Sequence, residues 1–248
     1  MVENPSEITK KQDDVRKLKE QVQEWQTSYN APIAQRRWQK QMQDLEKLIT
    51  PNDVQTFEKS DHAREAVSTL GQSMEKQKSF PPTQSEFCLV HDYLLTSICI
   101  NNACRAKPLS SMNLEELEKA KHEQDSWVVT VFKHKTLKAH GPASVVLSET
   151  LHKWLVSYVR YMSIHVPGVS SRKEEFVFMS WSGKDMTTSM VSAQINSFWQ
   201  KSTGNRTVRV KAAAFRKAAV SIVHMEHAHL KGPLADLMSH NPQTAETF

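Results

Sequence analysis

The sequence predicts a mainly α-helical protein with one small antiparallel sheet, an α+β arrangement. Three observations carry this. Apolar residues recur at helical spacing over most of the 248 residues. Helix-opening signatures recur along the chain, at Thr50-Pro51, Ser60-Asp61, Thr83 with Glu86, and Asn113 with Glu116. Only the middle departs from that period, where WVVTVFKHKT (127–136) is rich in β-branched and aromatic residues.

In chain order, Val15, Leu18, Val22 and Trp25 mark a first helix over 12–29, which Asn30 and Pro32 are expected to end. A second helix carries Ile33, Trp38, Met42, Leu45 and Leu48; a short third holds Val54 and Phe57, and a fourth Ala63, Ala66 and Leu70. The stretch 71–82 has no apolar period and ends in two prolines, as a linker would. The helix after Thr83 places Phe87, Leu89, Leu94, Leu95 and Ile98 mostly inside, and Asn113 opens NLEELEKAK. Gly141-Pro142 turns the chain into a second strand, SVVLS, so that Lys133, Lys135 and Lys138 lie about a basic hairpin loop. A helix over 149–163, a third strand EFVFMSW (175–181), helices over about 187–202 and 208–228, and two short helices near 233–239 and 242–248 complete the chain. The division expected is a helical unit over 1–79 and an α+β unit over 80–248.

With 39% hydrophobic and 24% charged residues the chain has the balance of an ordinary globular protein. It has no apolar run long enough to span a bilayer, so no membrane partner is expected. Cys88, Cys99 and Cys104 form no CxxC pair, which fits a reducing compartment better than a disulfide framework or zinc finger. The net charge of +5 lies wholly beyond residue 79, since residues 1–79 hold 13 basic and 13 acidic side chains. Residues 186–225 contain no acid but carry Lys201, Arg206, Arg209, Lys211, Arg216 and Lys217. Such a stretch suits a polyphosphate, where released counterions drive binding; a solvated basic helix face explains it equally well.

Four places in order resemble the tyrosine recombinase (phage-integrase) family. ACRAKPLSSMNLEEL (103–117) is similar to the first arginine box, with Arg105 as the match. Lys135 stands where the family has its hairpin lysine. AAAFRKAAVSIVH (212–224) resembles the second arginine box, through Arg216, and PLADLMSHNPQTAETF (233–248) resembles the closing motif, through His240. The HKT…GPA hairpin and the ADLM-x-H ending look most like the eukaryotic crypton-type branch. The resemblance covers nearly the whole chain and implies a helical core-binding (SAM-like) domain over 1–79 and an integrase-like catalytic domain over 80–248. It implies a double-stranded DNA partner, a homo-oligomer assembled on DNA, a mobile-element origin and a nuclear location. It implies no cofactor, no metal and no small-molecule substrate. The DNA-contacting set it implies is Lys133, Arg206, Arg209, Lys211 and Lys217.

Metal-free phosphodiester exchange explains the residue types. A pentavalent phosphorane gains negative charge on its non-bridging oxygens, and planar guanidiniums bind such oxygens bidentately without losing charge. A phenol attacks phosphorus to form a 3′-phosphotyrosine, and a lysine hands a proton to the departing 5′-oxygen. Two positions depart from the family. The histidine usual three residues before the second arginine is Ala213, and Lys211 lies about 160° from that slot at about 100° per residue. The tyrosine, nine residues after the histidine, falls at position 249, one beyond Phe248. Tyr29, Tyr93, Tyr158 and Tyr161 do not fit the spacing. Cleavage, inactive DNA binding by a domesticated protein and a non-DNA interaction scaffold all remain open at this level. His224, His227 and His229 are expected to be structural or DNA-facing, and Trp25, Trp38, Trp154 and Trp199 to serve in packing.

Overall fold

The computed structural model describes residues 5–46, 48–75, 81–103, 105–133, 141–167, 175–205, 209–230 and 232–234, without the side chains at 5–11, 31, 40–41, 44–46 and 228. The chain divides into two compact units, Met1–Leu48 and Ile49–Phe248.

Among its described residues the first unit has one helix, α1 (Pro5–Glu46). The break expected at Asn30 and Pro32 is absent, and the helix runs through Pro32. A proline in a helix interior costs about 3 kcal/mol, because it cannot bond the carbonyl four residues back. In the turn before it Thr27 Oγ1 donates to the Gln23 carbonyl (2.9 Å) and Ser28 Oγ to that of Trp25 (2.9 Å), though neither bond reaches the Ser28 carbonyl that Pro32 cannot serve. Val15, Leu18, Val22 and Trp25, whose spacing suggested a buried face, are 46–58% exposed.

The second unit comprises α2 (Pro51–Glu58), α3 (Asp61–Glu75), α4 (Gln84–Asn102), α5 (Ala106–Ser111), α6 (Leu114–Glu118), strands β1 (Lys121–Glu123), β2 (Ser126–Val131) and β3 (Ala143–Ser148), then α7 (Glu149–Tyr161), α8 (Thr188–Thr203) and α9 (Ala212–Glu226). Short 3-10 turns follow α7 and α9 at Ser163–His165 and Ala228–Leu230. Thr50, Thr83 and Asn113 each make the reciprocal capping box that the sequence predicts. None of the described helices is long and apolar enough to cross a membrane.

Helix α4 is the axis of this unit. It packs against α3, α7, α8, α9 and β3, and its Leu94, Leu95 and Ile98 are fully buried. The short helices before it contribute Phe57, Ala63, Ala66 and Leu70 to the same core. Phe57 stacks on Trp199 of α8 (5.6 Å between ring centroids), which meets Phe215 of α9 edge-on (5.2 Å).

The sheet has the order β1-β2-β3, antiparallel throughout, with Val128 opposite Val146. The hairpin of β2 and β3 is the predicted one, but the third strand is β1 and not residues 175–181. Phe176, Val177, Phe178 and Met179 are all buried, so the segment lacks the alternation of a half-exposed strand. Its backbone instead serves the α5–α6 junction: Leu114 N donates to the Glu175 carbonyl and Val177 N to that of Met112, both at 2.9 Å. The chain then turns tightly at Gly183 (φ +73°), where a Cβ would come within 2.0 Å of the Pro167 carbonyl oxygen.

One buried side chain ties the helices to the sheet. Asn102, at the end of α4, donates from Nδ2 to the Val146 carbonyl (2.8 Å) and to that of Ile98 (3.0 Å), and its Oδ1 accepts from Val146 N (2.6 Å). The amide thus acts as one residue of a neighbouring strand beside β3.

Asn102→Ala leaves both polar groups of Val146 facing the void, and each unmet buried group costs about 1–3 kcal/mol. We expect a loss of about 2–4 kcal/mol in chemical denaturation, with Asn102→Asp also destabilising because it cannot donate to Val146. Wild-type stability in Asn102→Ala would contradict the clamp.

Candidate functional site

Arg105 stands at the N-terminal boundary of α5, in extended backbone. Just before it, α4 ends at Ala103 in the left-handed conformation (φ 44°). That sharp exit turns the chain from α4 into α5 and aims the segment holding Arg105. The arginine is half-buried, and burial pushes its pKa down from the ordinary arginine value. The cause is loss of hydration by a cation, and an approaching anion restores that stabilisation.

Arg216 lies on α9. Phe215 and Ala218 turn inward, while Val220, one turn beyond Arg216 and on nearly the same face, packs with Ala103 in a small buried cluster joined by Ala219 and Leu234. Ala103 is two residues before Arg105, so this contact sets the α4–α5 corner against the Arg216 face of α9. The segment entering α9 is held by Val210 N donating to Asn196 Oδ1 of α8 (2.8 Å).

Lys133 follows β2. Its carbonyl accepts from Ser111 Oγ (2.6 Å), and Ser111 also donates to the Lys107 carbonyl (2.8 Å), pinning the strand end to the C-terminal turn of α5. Its exposed side chain places Nζ 5.5 Å from the Phe176 ring centroid, a cation–π approach. Arg105 and Lys133 therefore meet opposite ends of α5, a helix of 6 residues that spans about 9 Å. Glu116 adds a second tie, accepting from Asn113 N through Oε2 (3.0 Å) and from Phe132 N through Oε1 (2.9 Å).

Of the other predicted residues, Arg209 and Lys211 are exposed and Lys217 is half-buried. Lys211 is the N-cap residue of α9 but supplies no side-chain cap. Ala213 is exposed on the first turn of α9, so its slot presents a methyl group. Lys135, Arg206 and His240 lie outside the described residues. Of the predicted site residues, the structure thus describes Arg105 at the start of α5, Arg216 on α9 and Lys133 at the end of β2.

Two tyrosines of the second unit are in its core. Tyr158 is fully buried, with its pKa raised by loss of hydration, and Tyr93 is nearly buried with a shift of the same sign and cause. Tyr161 is half-buried in α7, and Tyr29 lies on α1. His227 and His229 meet edge to face with centroids 6.1 Å apart.

No family model matches the chain, and no curated protein matches it. Solved structures do. The XerH site-specific recombinase bound to difH substrate, in a pre-cleavage complex, matches with a TM-score of 0.51 at 14% identity over 74% of this chain and 47% of its own. XerA recombinase matches with a TM-score of 0.45 at 16% identity, over 74% of this chain and 55% of its own. The lambda integrase catalytic core has a TM-score of 0.37 at 12% identity, over 72% of this chain and 93% of its own. The fold is that of an integrase-type catalytic domain. The chain spans about half the length of the XerH and XerA chains.

Sequence reasoning identifies Glu116 only as a helix cap and passes over Ser111, because their partners lie 16 and 22 residues downstream. Glu116→Gln retains one acceptor for two N–H groups, so we expect faster amide hydrogen exchange at Phe132 or Asn113 and a stability loss of about 1–2 kcal/mol. Unchanged exchange at both amides would contradict the tie.

Proposed function

We propose that this chain binds duplex DNA through a phosphate clamp formed by Arg105 and Arg216, and that it is the body of a site-specific DNA breaking and rejoining protein. The observation that carries this is the Ala103–Val220 contact, which sets the corner bearing Arg105 against the face bearing Arg216. Two guanidiniums suit a single phosphate, since each can bond two of its oxygens without losing charge. The fold shared with a recombinase and the acid-free stretch 186–225 support the same reading.

In this reading Lys133 and the hairpin contact the backbone near the clamp. Lys135 is the acid that protonates the departing 5′-oxygen, and His240 is the second donor to the phosphate. The nucleophile in this reading is a phenol, which Tyr93 and Tyr158 cannot supply because both are buried. Attack by that phenol forms the O–P bond of a 3′-phosphotyrosine as the bond to the 5′-oxygen breaks. Reversal by a new 5′-hydroxyl rejoins the strand. Ala213 leaves the usual histidine's proton exchange unsupplied, and a domesticated DNA-binding protein that grips DNA without cutting it is the second reading.

Affinity for duplex DNA should fall steeply with salt, and Arg105→Ala and Arg216→Ala should each reduce the log–log slope by about 1 per lost phosphate contact. A slope near zero in the wild-type chain would overturn DNA binding.

The chain extended by one tyrosine at position 249 should trap a covalent adduct on a nicked duplex carrying its site, and Arg216→Ala in that background should abolish it. DNA binding without an adduct would favour the second reading.

A further inference from the structure

Helix α1 carries an apolar stripe that nothing in its own unit covers. Val15, Leu18, Val22, Trp25, Tyr29 and Ile33 are between 46% and 67% exposed. At about 100° per residue they fall within about 80° of arc, and Trp38 and Met42 lie on the opposite side. From Val15 to Tyr29 the spacing alternates three and four, the a and d positions of a heptad: Val15, Val22 and Tyr29 at a, Leu18 and Trp25 at d. The next d position is Pro32, where the stripe loses its period. A lone helix of this kind gains little from its own propensity and is stabilised chiefly by a packed face.

We infer that α1 is a dimerisation helix, and that residues 12–30 of two copies of this chain form a parallel, in-register two-stranded coiled coil. Two features select the second copy as the occupant. Val15, Leu18 and Val22 give valine at a with leucine at d, the combination that favours two strands, and Trp25 and Tyr29 extend the seam. The flanking charges are self-complementary in one orientation only. Position g holds Asp14, Gln21 and Ser28, and position e holds Gln12, Lys19 and Gln26. A parallel pair sets each g against the e of the partner five residues on, which brings Asp14 to Lys19 and Gln21 to Gln26, twice over by symmetry. An antiparallel pair sets g against g and e against e, and no such pairing here joins opposite charges. Arg16 is held within its own helix by Asp13 (3.3 Å), leaving the Asp14 and Lys19 positions to set the orientation.

The seam is short, under three heptads, so the dimer is weak and reversible. Two chains placed on neighbouring DNA sites raise their effective concentration and close it without further contacts. The dimer depends on α1 alone and holds whether or not the DNA reading does.

The test is the association state of the full chain without DNA, by sedimentation velocity up to about 100 µM, well above a micromolar Kd. The wild-type chain should shift from monomer to dimer with concentration. Leu18→Glu with Val22→Glu should abolish the shift, with thermal melting of the second unit unchanged as the control for folding. Asp14→Lys and Lys19→Glu each place like charges across the seam and should weaken dimerisation about five-fold or more. Mixing those two variants brings opposite charges together at both g–e pairings and should restore a heterodimer. Val22→Cys should cross-link to its counterpart on mild oxidation, where the wild-type chain does not. A chain monomeric at every concentration, a dimer indifferent to the two glutamates, or a mixture no tighter than either single variant would each overturn the proposal.

Discussion

A single buried amide holds the second unit in register. Asn102 closes α4 and offers its carboxamide to both backbone groups of Val146, as a neighbouring strand would. Interdigitated apolar faces set the packing of helix on sheet, and a pair of directional hydrogen bonds adds a fixed register. The clamp therefore fixes the height of α4 against β3, and through it everything that leaves the end of α4. Ala103 turns immediately after the clamp, Arg105 follows, and α5 runs from there to Ser111, where the other end of the hairpin is pinned. A shift of the amide would move the arginine and the lysine-bearing strand end together.

The site is thus supported from two sides. On one, α5 and α6 hold the hairpin through Ser111 and Glu116. On the other, α9 is registered by the aromatic contacts of Trp199 with Phe57 and Phe215, and by Val220 against Ala103. At the α4–α5 corner burial reduces the hydration of the Arg105 guanidinium and lowers its pKa. The acid-free sequence from 186 to 225 keeps competing carboxylates out of the adjoining helices.

Much of this was legible in the residues, and for a common reason. Capping boxes, the strands of the β2–β3 hairpin and the amphipathic periods of α2, α3 and α8 depend on neighbours within a few residues, and the structure has them where the spacing places them. Three readings differ from the structure, and only the last does so through distant context. Helix α3 runs to Glu75, through the first residues of the expected linker. Pro32 ends most helices, but here α1 continues through it. The run 175–181 has strand composition, but its backbone pairs with the α5–α6 junction and not with the sheet. The arginines could be named from motif order, while Asn102, Ser111 and Glu116 act through partners 16 to 44 residues away that no local pattern announces.

In the proposed function Arg105 and Arg216 grip one and the same phosphate. The most direct measurement is a double-mutant cycle, Arg105→Ala with Arg216→Ala, read as affinity for a duplex in which one phosphate at a time is replaced by an uncharged methylphosphonate. A shared phosphate predicts one position at which the replacement removes the effect of both substitutions, with a coupling of about 1–3 kcal/mol between the arginines. Additive effects mapping to different phosphates, or no position that silences either substitution, would contradict it.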